Sequence, residues 1–368
     1  MKTITEQHDT PGRLAPEALA PLEETPGVSY IMPALNDAHH IEAAVRAILA
    51  QDYTGEQEIL IAVGASTDGT EDVVRHLEMA YERVRMLPNP SGTTPAGLNV
   101  AIAAARHPVI IRVDAHSELS VDYARRGVEV LRETRAANCG GLMAAEGSTP
   151  FQKAVARAYM SKAGLGGPAY HAGAIAGSAE SAYLGIFRRE VFDVVGGFDE
   201  TLRRGQDWEL NLRIRSVGGL VWFTPELRVT YWPRSSWTHL VKQFHATGAW
   251  RAEIVRRHAR GTSLRYFAPP LLVSAVGMSA LHAGLALSGA LEEWPPVVKR
   301  ASYVVHTPLV AYIGVIGAVT ATAQADSPSE RAWLAAVLPT MHMSWGSGFL
   351  RGFCKGAEKT LDRSRLRH

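Results

Sequence analysis

The sequence predicts an α/β domain, a doubly wound sheet with helices on its faces, followed by C-terminal hydrophobic membrane helices. Three observations lead there. From Val28 onward, short apolar runs alternate with segments of helical period. Asp37, Asp68 and Asp114 each stand where one of those runs ends. Beyond residue 265, charged side chains vanish from three long stretches.

The elements follow in order. Residues 1–27 carry prolines at 11, 16, 21 and 26 among polar and acidic residues and predict a disordered tail. No apolar run of signal-peptide type occurs there, which predicts a protein that is not exported. VSYIMPAL (28–35) and EILIAVG (58–64) are strands, with the helix IEAAVRAILAQ (41–51) between them. EDVVRHLEMAYE (71–82) is a helix leading to the strand VRMLP (84–88), PAGLNVAIAAA (95–105) is a further helix, and PVIIRVDAH is the next strand. Strands and helices alternating with short connections make a doubly wound sheet, in which ligands bind beyond the carboxyl ends of the strands.

The overall charge balance, 36 acidic against 38 basic residues, gives no footprint for nucleic acid. Cys139 and Cys354 lie far apart, without zinc spacing or a disulfide framework, as expected in a reducing compartment. No GxGxxG follows the first strand and no GxxxxGK occurs, so phosphates must be held without a glycine-rich cradle. In IIRVDAHSEL (110–119) an extended chain would turn Arg112, Asp114 and His116 to one face. A divalent cation on Asp114 and His116 would supply the missing phosphate contact. Taken alone, the same residues also read as an ordinary turn after a strand.

Residues 266–291, 301–325 and 332–350 contain no Asp, Glu, Lys or Arg, and each is close to membrane-spanning length. The third contains Pro339, His342, Gly346 and Gly348, which suit a lipid-facing span poorly. The tail from Arg351 carries six Lys or Arg against two acids, and such an excess is retained in the cytoplasm. The expectation is two spanning helices, near 268–290 and 302–323, then an in-plane or re-entrant helix and a cytoplasmic basic tail.

Seven segments in order resemble the inverting family-2 glycosyltransferases of GT-A fold, a Rossmann-like mixed sheet with helices on both faces, and among them the succinoglycan-biosynthesis type. They are the first strand with PALND, ASTDGT (65–70), PAGLN (95–99), RVDAH (112–116), FRREVFDVVGGFDE (187–200), GQDWELNLR (205–213) and QFHATGAWR (243–251). The resemblance runs from about Val28 to the end of the chain. It implies a catalytic domain over 28–262 with an interfacial helix at its end, and a membrane region over 263–368.

The resemblance also implies roles. Asp114 and His116, standing where the family has Asp-x-Asp, would hold Mn2+ or Mg2+ and with it the donor diphosphate. Pro33, Ala34, Asn36, Asp37, Asp68 and Arg112 would line the donor site. Asp68, in Ser66-Thr67-Asp68-Gly69, reads equally as a helix-capping residue. Where relatives place aspartates that contact the nucleobase, this chain has Val63 and Gly64. Leu210, Ile214 and Val217 share a helical face and Gly218-Gly219 ends that helix, which puts Asp207 in its first turn. By resemblance Asp207 is the general base, with a helix-dipole carboxylate as the plainer alternative. Gln206 takes the place of the commoner acid and would position substrate.

Gln243, Trp250 and Arg251 share a helical face and by resemblance contact the acceptor and the diphosphate. The alternative is an amphipathic helix at the membrane surface, with Trp250 at the interface and Arg256, Arg257, Arg260 and Arg265 facing lipid phosphates. The elongated QFHATGAWR form implies addition of one sugar rather than a polymer. The sequence therefore predicts transfer from a nucleotide-diphosphate sugar, a UDP-sugar, to a polyprenyl-diphosphate-linked or other glycan acceptor. The catalytic domain would lie on the cytoplasmic side of the membrane. A non-catalytic scaffold subunit, suggested by Val63 and Gly64, and a nucleotidyltransferase are the rival readings.

Overall fold

The computed structural model describes residues 13–165, 175–258 and 262–357. They form two compact units, one from 13–145 with 175–231, the other from 146–165 with 232–258 and 262–357.

The first unit is built on a nine-stranded sheet. Strands β1 (Val28–Ala34), β2 (Gln57–Val63), β3 (Val84–Pro88) and β4 (Val109–Arg112) are parallel, with β1 between β2 and β4. Their connections are α1 (Ile41–Leu49), α2 (Thr70–Ala80) and α3 (Thr94–Ala104). After β5 (Glu118–Leu119), α4 (Tyr123–Thr134) leads to β6 (Asn138–Ala145). The chain leaves for the second unit through α5 (Pro150–Met160) and returns as β7 (Gly177–Ser178) and β8 (Tyr183–Arg188). Helices α6 (Glu190–Val195) and α7 (Gln206–Ser216) precede β9 (Val221–Tyr231). The strand order is β3-β2-β1-β4-β8-β6-β9-β5, with β7 on β9. β8 runs antiparallel to both β4 and β6, so the sheet is mixed.

Strand alternation explains the two cores. Val28, Tyr30 and Met32 pack on one face with Ile41, Val45 and Ile48 of α1. Ile31 points the other way, to Leu98 of α3, Val191 of α6 and Leu210 and Ile214 of α7. Truncating a wholly buried side chain such as Ile31 to alanine should cost about 2–5 kcal/mol.

The expected disordered tail is corrected for its described half. Leu14 and Leu19 are buried in the second core, and Arg188 donates to the Ala20 carbonyl at 2.6 Å. These two leucines join the core that includes Ile214 and Val217, and the Leu14 N–H donates to the Val217 carbonyl at 3.4 Å, so a proline-rich segment is held by apolar burial. Residues 1–12 lie outside the described residues.

The second unit gathers α5 with α8 (Trp237–Arg257), α9 (Ala268–Leu287), α10 (Pro296–Ser302), α11 (Thr307–Thr322) and α12 (Pro328–Lys355). The division therefore differs from the expected break near 262, since α5 and α8 group with the apolar helices. Two stretches, Leu264–Leu287 and Pro296–Thr322, are long and apolar enough to cross a membrane, and little of either is buried within the protein. The third apolar stretch became the middle of α12. Its Leu334, Val337, Leu338, Met341 and Phe349 are buried, and Gly348 and Gly352 lie so close to the His245 and Ala249 carbonyls of α8 that no Cβ would fit. Its apolar residues are thus spent on helix packing. Of the basic tail, residues 358–368 lie outside the described residues.

Candidate active site

β4 delivers a buried arginine to the carboxyl end of the sheet. Arg112 donates from Nη2 to Asp114 Oδ1 at 3.0 Å and from Nη1 to Asp207 Oδ1, so one guanidinium joins the two carboxylates. The Arg112 side chain is 5% exposed, those of Asp114 and Asp207 18% and 31%, so the cation is the inner member of the group. Asp207 is the second residue of α7, in its first turn as expected, and Leu210, Ile214 and Val217 are buried beneath it. Desolvation by the surrounding protein pushes the Asp207 carboxyl above the usual carboxylate range; Arg112 pulls it down and the like charge of Asp114 pushes it up again.

Strand alternation holds for Arg112 and Asp114 but stops there. The Ser117 N–H donates to the Asp114 carbonyl at 2.9 Å, and Ala115 and His116 lie in the turn so closed. His116 is half-buried in that turn rather than on a strand face. Gln206 is half-buried at the first position of α7.

The loops after β1 and β2 are tied to each other by hydrogen bonds that run through backbone amides and side chains of both. Asn36, in the left-handed region at φ 56°, accepts from the Thr67 N–H at 2.8 Å while its own N–H donates to Ser66 Oγ at 3.1 Å. The Asp37 N–H donates to Thr70 Oγ1, and Asp37 Oδ2 accepts from the Leu35 N–H. Asp68 accepts from the Thr70 N–H and hydroxyl on one oxygen and from the Ala38 N–H at 3.0 Å on the other. Desolvation opposes ionisation of Asp68, but those donors outweigh it and hold the carboxyl below its ordinary value. One oxygen thus bonds the first residue of α2, whose N-cap is Gly69, and the other ties this loop to the loop after β1. Pro33 and Ala34 end β1, and the Ala34 carbonyl accepts from the Gly64 N–H at 2.8 Å. A side chain at 64 would meet Leu35 at 3.0 Å and the Gly92 Cα at 3.1 Å, so this position is already filled.

Gln243, Trp250 and Arg251 all lie on α8, in the second unit. Trp250 is 2% exposed, and its Nε1 has no hydrogen-bond partner among the described residues. The interfacial reading of Trp250 is corrected on that ground, because a buried ring cannot sit at a lipid surface. Arg251 stacks on Tyr266 at 4.6 Å, with Arg265 at 5.1 Å from the same ring. Arg256 and Arg257 pair with Glu253, and Arg260 lies outside the described residues.

Among the described residues no three His, Cys, Asp or Glu side chains converge to hold a metal. Asp114 and His116 bring a carboxylate and an imidazole to the same turn, donor types that suit a hard-to-borderline divalent cation.

Comparison with known proteins now bears on this geometry. Residues 29–196 match the model of glycosyl transferase family 2. The succinoglycan biosynthesis protein ExoA of Rhizobium meliloti (strain 1021) is 33% identical over 323 residues, covering 87% of this chain and 93% of that protein. The chain belongs to the family-2 glycosyltransferases. A dolichyl N-acetyl-α-D-glucosaminyl phosphate 3-β-D-2,3-diacetamido-2,3-dideoxy-β-D-glucuronosyltransferase of Methanococcus voltae is 25% identical over 62% of this glycosyltransferase and 74% of its own length. The mannosyltransferase PcManGT of Pyrobaculum calidifontis, solved with GDP-Man and Mn2+, superposes with a TM-score of 0.55 at 17% identity. That superposition covers 95% of this glycosyltransferase and 91% of the other chain, and it shows the shared GT-A fold.

The residues that sequence reasoning left without a task are Asn99 and Phe198. Asn99 lies in PAGLN (95–99) and Phe198 in VVGGFDE (194–200), and the Gly196-Gly197 pair before Phe198 is the sequence signal of a tight backbone site.

Proposed function

We propose that this glycosyltransferase moves one sugar, with inversion, from a UDP-sugar to a polyprenyl-diphosphate-linked or other glycan acceptor during synthesis of an extracellular polysaccharide or cell-envelope glycan. The observation that carries the reading is the joining of Asp114 and Asp207 by Arg112 at the carboxyl end of a family-2 sheet. Asp207 accepts the proton of the attacking hydroxyl, and its raised carboxyl makes it a better base than an ordinary surface aspartate. Asp114 and His116 hold Mn2+ or Mg2+, which when bound neutralises the leaving diphosphate. Pro33, Ala34, Asn36 and Asp37 border the donor, and Gln206, Gln243, Trp250 and Arg251 serve the acceptor and the diphosphate. The likeness to the succinoglycan protein supports the polysaccharide context.

The experiment is a thermal-shift screen of nucleotide sugars with Mn2+ on the purified chain, followed by transfer assays with the donor that stabilises it. Absence of any stabilising nucleotide sugar, together with no metal-dependent hydrolysis of one, would return the chain to the scaffold reading.

The helices Leu264–Leu287 and Pro296–Thr322 span the membrane in this reading, the catalytic unit and the basic tail are both cytoplasmic, and α12 does not cross. A cysteine at Ser364, in a background lacking Cys139 and Cys354, should be protected from a probe outside intact cells. Labelling there would mean a third crossing.

A further inference from the structure

Arg112 is clamped as well as charged. The Phe198 ring lies against its guanidinium at 5.9 Å and is itself 3% exposed. The backbone of Phe198 is held by Asn99 of α3 in a reciprocal pair: Asn99 Nδ2 donates to the Phe198 carbonyl at 2.9 Å, and the Phe198 N–H donates to Asn99 Oδ1 at 2.8 Å. Gly197 is part of the same device, because a Cβ there would stand 2.3 Å from Asn99 Oδ1. From the other side, Arg213 of α7 donates to the Gly197 carbonyl at 2.7 Å, and Glu209 fixes that arginine at 2.7 and 2.8 Å. Five residues thus serve to present one cation to Asp114.

We propose that Arg112 is an internal counter-ion that occupies Asp114 until a divalent cation and a diphosphate arrive together, with Asn99 and Phe198 as its positioning residues. This rests on the reading of Asp114 as a metal ligand. A cation approaching Asp114 alone meets a guanidinium that is already hydrogen-bonded to the carboxylate and whose other carboxylate partner, among the described residues, is Asp207. A diphosphate carried by the metal offers that anion, in the planar two-point geometry that guanidinium binds best. Metal and nucleotide therefore help each other to bind, and by linkage the help is mutual.

The probes are Mn2+ alone and Mn2+ with UDP, titrated on the full-length protein and read by electron paramagnetic resonance of free Mn2+. Arg112→Gln should raise affinity for Mn2+ alone and shrink the enhancement by UDP, each by at least about fivefold, the lower edge of the usual range of coupling between sites. Phe198→Leu and Asn99→Ala should shift Mn2+ affinity in the same direction by smaller factors, and should do nothing further in the Arg112→Gln background. If Arg112→Gln unfolds the chain, the Phe198→Leu shift alone still decides. Unchanged or weaker binding of Mn2+ alone in these variants, or an undiminished effect of UDP, overturns the proposal. Asp114→Asn separates the two levels: if it leaves Mn2+ binding intact, the metal reading itself is wrong. If it removes binding while Arg112→Gln changes nothing, only the counter-ion is wrong.

Discussion

Two clusters of aspartates stand at the carboxyl end of the same sheet and are satisfied in opposite ways. Asp37 and Asp68, after β1 and β2, exchange hydrogen bonds with backbone amides and with Thr70 that bind one loop to the other. Asp114 and Asp207, 93 positions apart, share a single buried cation. Bonds to backbone amides and a hydroxyl fix the shape of these loops. A shared cation leaves charge that can be redistributed when an anionic ligand arrives, and that difference separates scaffold from chemistry better than residue type does.

The comparison breaks most visibly at Asp207. Asp207→Asn should lower transfer by about 100-fold or more in a chain that still folds, since an amide keeps the shape and cannot take the proton. Near-normal turnover would demote Asp207 to a helix-terminal carboxylate. Next in size, Asp114→Asn should weaken Mn2+-dependent binding of UDP, measured by calorimetry, by about tenfold or more. A result insensitive to both that variant and EDTA would remove the metal from the site.

Asp68→Ala should act on stability instead, costing about 1 kcal/mol in denaturant unfolding, the ordinary net worth of a lost side-chain hydrogen bond. A large loss of UDP affinity with unchanged stability would move Asp68 to the donor site and erase the contrast. The smallest effect is a pH dependence. Because the folded-state pKa of Asp68 lies below its unfolded value, its contribution is present above the ordinary aspartate range, near pH 4, and is lost as pH falls through the depressed value. Asp68→Asn should therefore be less stable than wild type at neutral pH and converge with it in acid. Parallel curves down to the most acidic pH would show that the carboxylate is not held by its donors.

The sheet itself was legible because its signals are short-range. β1, β2 and β3 run within a residue of their expected bounds, and α7 begins at Gln206 and ends before Gly218 as the apolar spacing and the glycine pair require. The same local reading misjudged residues 13–27, because proline-rich composition records the absence of regular structure and not the absence of contacts. It also overextended the strand face to His116, where one backbone hydrogen bond turned the chain instead.

By itself the sequence determined the alternation of strands and helices, the position of each aspartate at a strand or helix end, and the two helices long and apolar enough to span a membrane. These depend on periodicity and on residues a few positions apart. Only the tertiary structure decided that Arg112 belongs to Asp207 as well as to Asp114, that Asn99 holds the backbone of Phe198 against them, and that the third apolar stretch is spent against α8. Each of those pairs is separated by about a hundred residues. Which buried cation meets which carboxylate is settled by how the sheet brings its strand ends together, and no local pattern encodes that.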